Sequence, residues 1–80
     1  MAKKVIVKVV SVTDTDGSVK PLSFMWEDGR VYTVDRVLDV RRAASLKAGG
    51  AGIRYTCRVR GRQIYLFYED PCWFMEGKDA

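Results

Sequence analysis

The chain has no histidine among its 80 residues. That absence removes the commonest general base, and with it any Ser-His or Cys-His nucleophile pair. Cysteine is scarce as well. Cys57 and Cys72 stand fifteen positions apart, and two thiols without histidine do not close a zinc site unless carboxylates help. A secreted disulfide scaffold of this size usually carries about four to eight cysteines. Two free, buried thiols are therefore the expected state, with a Cys57–Cys72 bridge as the alternative. A long hydrophobic run is missing too. Val5 to Val12 is broken by Lys8 and Ser11, so it is too short to span a bilayer and lacks the flanks of a signal peptide. These absences lead to the expectation of a cytoplasmic protein without cofactor, metal or membrane partner.

Acidic residues are absent from one region only. Residues 40–68 hold seven basic side chains and no acid: Arg41, Arg42, Lys47, Arg54, Arg58, Arg60 and Arg62. The remainder holds seven basic and ten acidic side chains, net −3, against +4 for the whole. A mildly acidic frame around a basic middle is a charge pattern that steers polyanions.

What is present reads as β-structure. Apolar residues are 48% of the sequence and charged residues 30%, a globular balance for one domain over residues 1–76 with a frayed tail at 77–80. Lys3 to Val12 is rich in valine and isoleucine, whose branched side chains suit a pleated strand. Thr13 to Ser18 is turn chemistry, with aspartates that bond nearby amides and a glycine that accepts positive φ. Pro21 opens a second strand to Glu27, where a missing N–H does least harm. Asp28-Gly29 predicts a two-residue hairpin turn that sets Phe24 opposite Thr33, Met25 opposite Tyr32 and Trp26 opposite Val31. The strand from Arg30 to about Arg42 is clean in neither parity. It predicts a bulge or bend near Asp35-Arg36, which lets one strand serve two parts of a small barrel. Ala43 to Ala48 has the composition of one helical turn, stopped by Gly49-Gly50.

The hairpin IRYTCRVRGRQIYLFYE, residues 53–69, separates its faces most sharply. Ile53, Tyr55, Cys57 and Val59 share one side; Arg54, Thr56, Arg58 and Arg60 share the other. A turn at Gly61-Arg62 pairs Cys57 with Leu66 on the inner side, and Arg58 with Tyr65 and Thr56 with Phe67 on the outer. Asp70-Pro71 ends the hairpin, and Cys72 to Glu76 forms a last strand. The fold class expected is mainly β: an antiparallel barrel or rolled sheet of five to six strands, SH3-like or OB-like, since closure hides sheet edges at this size.

The residues Trp26-x-x-Gly29-Arg30-x-Tyr32-x-Val34-x-Arg36-Val37-Leu38-Asp39, followed by YLFYE and WFME, resemble a group of small bacterial β proteins with no established activity. The resemblance covers roughly residues 21–76. It implies a small β fold in the cytoplasm and supplies neither a ligand nor catalytic residues.

Three further patterns bear on function. The carboxylate pairs Glu27/Asp28 and Glu69/Asp70 sit at hairpin ends, where acids are ordinary turn formers. Asp35 and Asp39 lie about 13 Å apart on an unbent strand, too far for shared proton work. The glycine-rich LKAGGAGIR is followed by a strand, so it is neither a Walker loop nor a dinucleotide fingerprint. The outward face of the 53–69 hairpin is the strongest constellation. Cations replace counterions at phosphates and flat rings stack unpaired bases; Arg54, Arg58 and Arg60 supply the first, Tyr65 and Phe67 the second, with Arg41, Arg42, Lys47 and Arg62 extending the patch. The competing reading is a solvated sheet back whose arginine stems cover the rings, or a second small core under Tyr65 and Phe67. The sequence thus points to a non-enzymatic module that binds single-stranded nucleic acid or another polyanion weakly. The alternative is a protein-interaction module or homodimer that uses exposed aromatics and a sheet edge.

Overall fold

The structure, a computed structural model, describes residues 2–44 and 51–78. The described residues form seven strands: β1 (Ala2–Thr13), β2 (Val19–Met25), β3 (Val31–Thr33), β4 (Arg36–Ala44), β5 (Ala51–Val59), β6 (Arg62–Glu69) and β7 (Cys72–Lys78). They form one sheet in the order β3-β2-β1-β7-β6-β5-β4, antiparallel throughout. The sheet curls into a half-barrel.

The count is seven rather than five to six because the strand expected from Arg30 to Arg42 divides into β3 and β4. The division falls where the mixed parity pointed. Val34 donates its N–H to the Leu22 carbonyl (2.8 Å), and Asp35 donates its N–H to the Arg58 carbonyl (2.9 Å). Two adjacent residues thereby hold the chain to β2 on one side and to β5 on the other, and this bend makes the sheet curl. A bulge follows between Val37 and Asp39. β1 bends as well: its first half pairs with β7 and its second with β2, with a bulge at Val10/Ser11. Ala43-Ala44 belong to β4 rather than to a helical turn; residues 45–50 lie outside the described residues. β7 runs past Glu76 to Lys78, and Gly77 pairs with Lys3.

The turns correct two expected registers. The Asp28-Gly29 turn is a three-residue loop, with Trp26 N–H donated to the Arg30 carbonyl and Gly29 N–H to the Trp26 carbonyl. Phe24 therefore faces Tyr32, and Met25 faces Val31, one position off the two-residue prediction. The two-residue turn needs positive φ at both residues, whereas here Gly29 alone takes it (φ +88°) and Asp28 stays on the common side. Asp28 Oδ1 then accepts the Arg30 N–H at 2.9 Å. The β1–β2 loop repeats the device: Gly17 has φ +88° and Asp16 Oδ1 accepts the Ser18 N–H at 2.9 Å. The Ser18 hydroxyl and amide hold the Asp16 carboxyl below the usual carboxylate range.

In the β5–β6 hairpin the turn residues are Arg60 and Gly61, both with positive φ (52° and 78°), instead of Gly61 and Arg62. The register slides by two. Cys57 faces Ile64, Thr56 faces Tyr65, Arg54 faces Phe67 and Arg58 faces Gln63. A slip of two keeps every side chain on its own face. The inner and outer sets therefore stand, and only the partners change.

The inner face carries Val5, Val7, Phe24, Tyr55, Cys57, Val59, Leu66 and Trp73 as one buried cluster. Trp73 lies between Tyr55 and Tyr68, at ring separations of 5.1 and 4.7 Å. Each such side chain contributes on the order of 2 kcal/mol through apolar burial. The two thiols are free: Cys57 is buried in this cluster, while Cys72 is exposed at the β6–β7 turn rather than buried as expected. Burial pushes the Cys57 thiol up to about 11, so its thiolate is scarce near neutrality. Iodoacetamide at pH 8 is expected to alkylate the folded chain once, at Cys72, and twice only in denaturant; intact mass reads the difference, and prompt double labelling would contradict the burial of Cys57.

Candidate functional site

The outer face divides into two halves. Along β1, β7 and β6, Ile6 pairs with Phe74 and Phe74 with Phe67. The two phenylalanines stack at 4.9 Å with planes 7° apart. Lys4 lies 4.5 Å from the Phe74 ring and reaches Glu69 at 2.8 Å. Phe74 and Phe67 are 0% and 2% exposed, so they make a small second core on the outer side. Phe67 consequently has no open ring face for a base, and its part in the expected stacking surface falls away.

The other half, on β5 and β4, is basic. Arg54 pairs with Arg41, and Arg58 with Arg36. Arg54 covers Tyr65, with its guanidinium carbon 4.8 Å from the ring. The sequence reading gave that place to Arg58; the two-residue slide puts Gln63 beside Arg58 and brings Tyr65 diagonal to Arg54. The Arg54 Nε is buried and has no hydrogen-bond partner among the described residues, a state polar groups rarely keep. Asp39 accepts a 2.7 Å hydrogen bond from the Arg41 Nε, which raises the Arg41 pKa further. Arg42 has the opposite parity and pairs with Ile53, away from this face. Lys47 lies outside the described residues. Among the described residues, Arg58 and Arg62 form no ion pair.

A groove of about 510 Å³ opens at the β5–β6 turn end. Its walls are Phe24, Trp26 and Tyr32 from the β2–β3 hairpin, Val59, Arg60, Arg62 and Ile64 from the β5–β6 hairpin, and Met75. Phe24 and Tyr32 stack at 5.4 Å. Arg60 sets its guanidinium carbon 5.9 Å from the Tyr32 ring, and its backbone N–H is donated to Asp35 Oδ2 at 3.0 Å. The bend at Val34-Asp35 thus fixes the arginine as well as the sheet.

The chain matches no family model, no curated protein and no solved structure.

Arg60 is unusual in its own right. A left-handed conformation costs an L-residue about 1–2 kcal/mol, and glycine, asparagine or aspartate are its ordinary occupants. The sequence places Trp26 and Tyr32 only as hairpin partners, with the β2–β3 register off by one; both pack against the inner cluster and also wall the groove. The available signal was the arginine-glycine pair, which fits a turn with two positive φ angles once the first is accepted as non-glycine. A second cavity, of about 460 Å³, lies in the open seam between Val19-Lys20 and Val37/Val40. Its floor is Ile53, Tyr55 and Tyr68, and the Tyr55 hydroxyl donates to the Val19 carbonyl. Among the described residues, no three His, Cys, Asp or Glu side chains converge as a metal site, and no helix is long and apolar enough to cross a membrane.

Proposed function

We propose that the protein is a non-enzymatic module of the bacterial cytoplasm that binds single-stranded nucleic acid weakly. The observation that carries this reading is Arg60. An arginine occupies a turn position where glycine would cost less, and its guanidinium stands over Tyr32 at the mouth of an aromatic groove. Residues held in strained backbone conformations concentrate at functional sites. A base enters the groove against Trp26 and Tyr32, while Arg60 and Arg62 take the flanking phosphates. The strand continues over Arg58, Arg54 and Arg41, whose cations share the outer face. Stacking on aromatic rings together with cations along the backbone is the general recipe for single-strand binding.

The test is fluorescence anisotropy with a labelled oligothymidylate. Wild-type protein is expected to bind with micromolar affinity. With about four phosphate contacts, that affinity falls about fifty-fold between about 50 and about 200 mM salt. Arg60→Glu/Arg62→Glu should weaken binding at least tenfold, and Trp26→Ala by a similar factor, since a base–aromatic stack is worth about 1–3 kcal/mol. Absence of binding at about 100 µM protein in low salt, or binding indifferent to all three changes, would overturn the reading.

A further inference from the structure

We propose that β4 is a self-complementary edge through which two copies of this chain pair antiparallel, with the two-fold axis at Val40. β4 ends the sheet order, so among the described residues its outer edge has no neighbouring strand. Unpaired edges of this length are usually covered, charged or paired. Along this edge Val40 is 51% exposed and Leu38 39% exposed, although Val40 belongs to the inner face by its pairing with Tyr55. An apolar pair of side chains therefore stands at the open seam, uncovered by any of the described residues.

The charges choose the occupant. Asp39 and Arg41 flank Val40 and share the outer face, through their pairings with Thr56 and Arg54. A two-fold axis perpendicular to a sheet sets each residue opposite one of the same parity. Centred on Val40, that operation brings Asp39 of each copy opposite Arg41 of the other, and Val40 opposite Val40. Centred on Asp39 or on Arg41, it sets like charges directly opposite, which destabilises a cross-strand pair. The sequence Asp-Val-Arg thus admits one register and rejects its two neighbours. Like charges also repel any strand that presents arginine opposite Arg41, so the edge discriminates as well as attracts.

Pairing extends over about five residues, because the bulge at Val37/Asp39 turns the edge away at one end. An interface this small belongs to the weak class, and dimerisation in the range of about 10–100 µM is expected. The pairing makes the β4 and β5 faces of the two copies continuous. It requires none of the residues in the aromatic groove; Arg41 also lies on the proposed nucleic-acid path, so dimerisation is read without nucleic acid, by a measurement that does not depend on that reading.

The experiment is sedimentation equilibrium of the full chain from about 5 to about 500 µM, a span set by the expected affinity. Wild-type protein is expected to move from monomer to dimer across it. Asp39→Arg and Arg41→Asp, each alone, should remain monomeric, since each places like charges across the axis. An equimolar mixture of the two variants should recover a heterodimer, because one then supplies both cations and the other both anions. Should either variant lose its cooperative melt by circular dichroism, Val40→Lys and Val40→Glu test the same axis by the same logic, monomeric alone and paired when mixed. A wild-type monomer throughout, dimers that survive the single changes, or folded variants that fail to recombine would each overturn the proposal.

Discussion

Gly52→Ala is expected to leave the chain largely unfolded at 25 °C. A Cβ at this position would lie 2.3 Å from the Tyr68 carbonyl oxygen and 3.0 Å from its carbon. Both are backbone atoms of the neighbouring strand, so no side chain can rotate out of the way. The backbone adds its own objection, since Gly52 has φ +157°, a conformation that side-chain-bearing residues rarely adopt. Strain and overpacking each cost about 1–3 kcal/mol. Together they approach the whole stability of about 5 kcal/mol expected for so small a domain. Gly17→Ala is the control. It keeps a positive φ of +88° but meets nothing within 4 Å, and should lose only about 1 kcal/mol. Urea denaturation of the two variants separates the clash from the dihedral cost; equal losses would show that β5 and β6 do not approach so closely at Gly52.

Phe74→Ala is expected to cost about 3–5 kcal/mol, as much as truncating a residue of the inner core. Its outward parity on β7 suggests a solvated position, for which the loss would be under about 1 kcal/mol. The ring is fully buried, however, stacked on Phe67 and covered by Lys4. Removing it opens a cavity against a second aromatic and leaves Lys4 without the ring beneath it. Tyr65→Ala, on the same face but 39% exposed, should cost about 1 kcal/mol, mostly the lost contact with Arg54. A Phe74 variant that melts like the Tyr65 variant would mean that the outer face carries no second core.

Much of this architecture is legible in the residues, and its gaps have physical causes. Valine-rich runs and turn glycines mark the strands, and mixed parity after Arg30 predicts a bend near Asp35-Arg36, one residue from where it falls at Val34-Asp35. Register is harder to read. Arg60-Gly61 and Gly61-Arg62 both contain the glycine a tight turn wants, and choosing between them slides the strands by two without moving any side chain to the other face. Inner and outer sets are thus readable while partners are not, which is why the sequence pairs Tyr65 with Arg58 and the structure with Thr56. The aromatic groove escaped for a similar reason. A three-residue loop and a two-residue loop at Asp28-Gly29 differ by one position, enough to change what stands beside Tyr32. Outward parity of Phe67 says nothing about what covers it, since the phenylalanine that does so comes from β7. The long bend in β1 left no signal, because valines occupy both parities from Val5 to Val12.

The pairing of β1 with β7 governs the order in which this molecule can assemble. Val5 lies beside Met75 and Lys3 beside Gly77, so the first and last strands meet in the middle of the sheet order, not at its rim. The hairpins β1–β2–β3 and β4–β5–β6–β7 can each form from near neighbours, but joining them means closing almost the whole chain into a loop. Non-local pairings of that kind slow folding, because loop entropy is lost before the contacts compensate. Until β7 arrives, the Val5–Val7 segment waits with an open flank, and the central seam of the finished sheet is the last to be sewn.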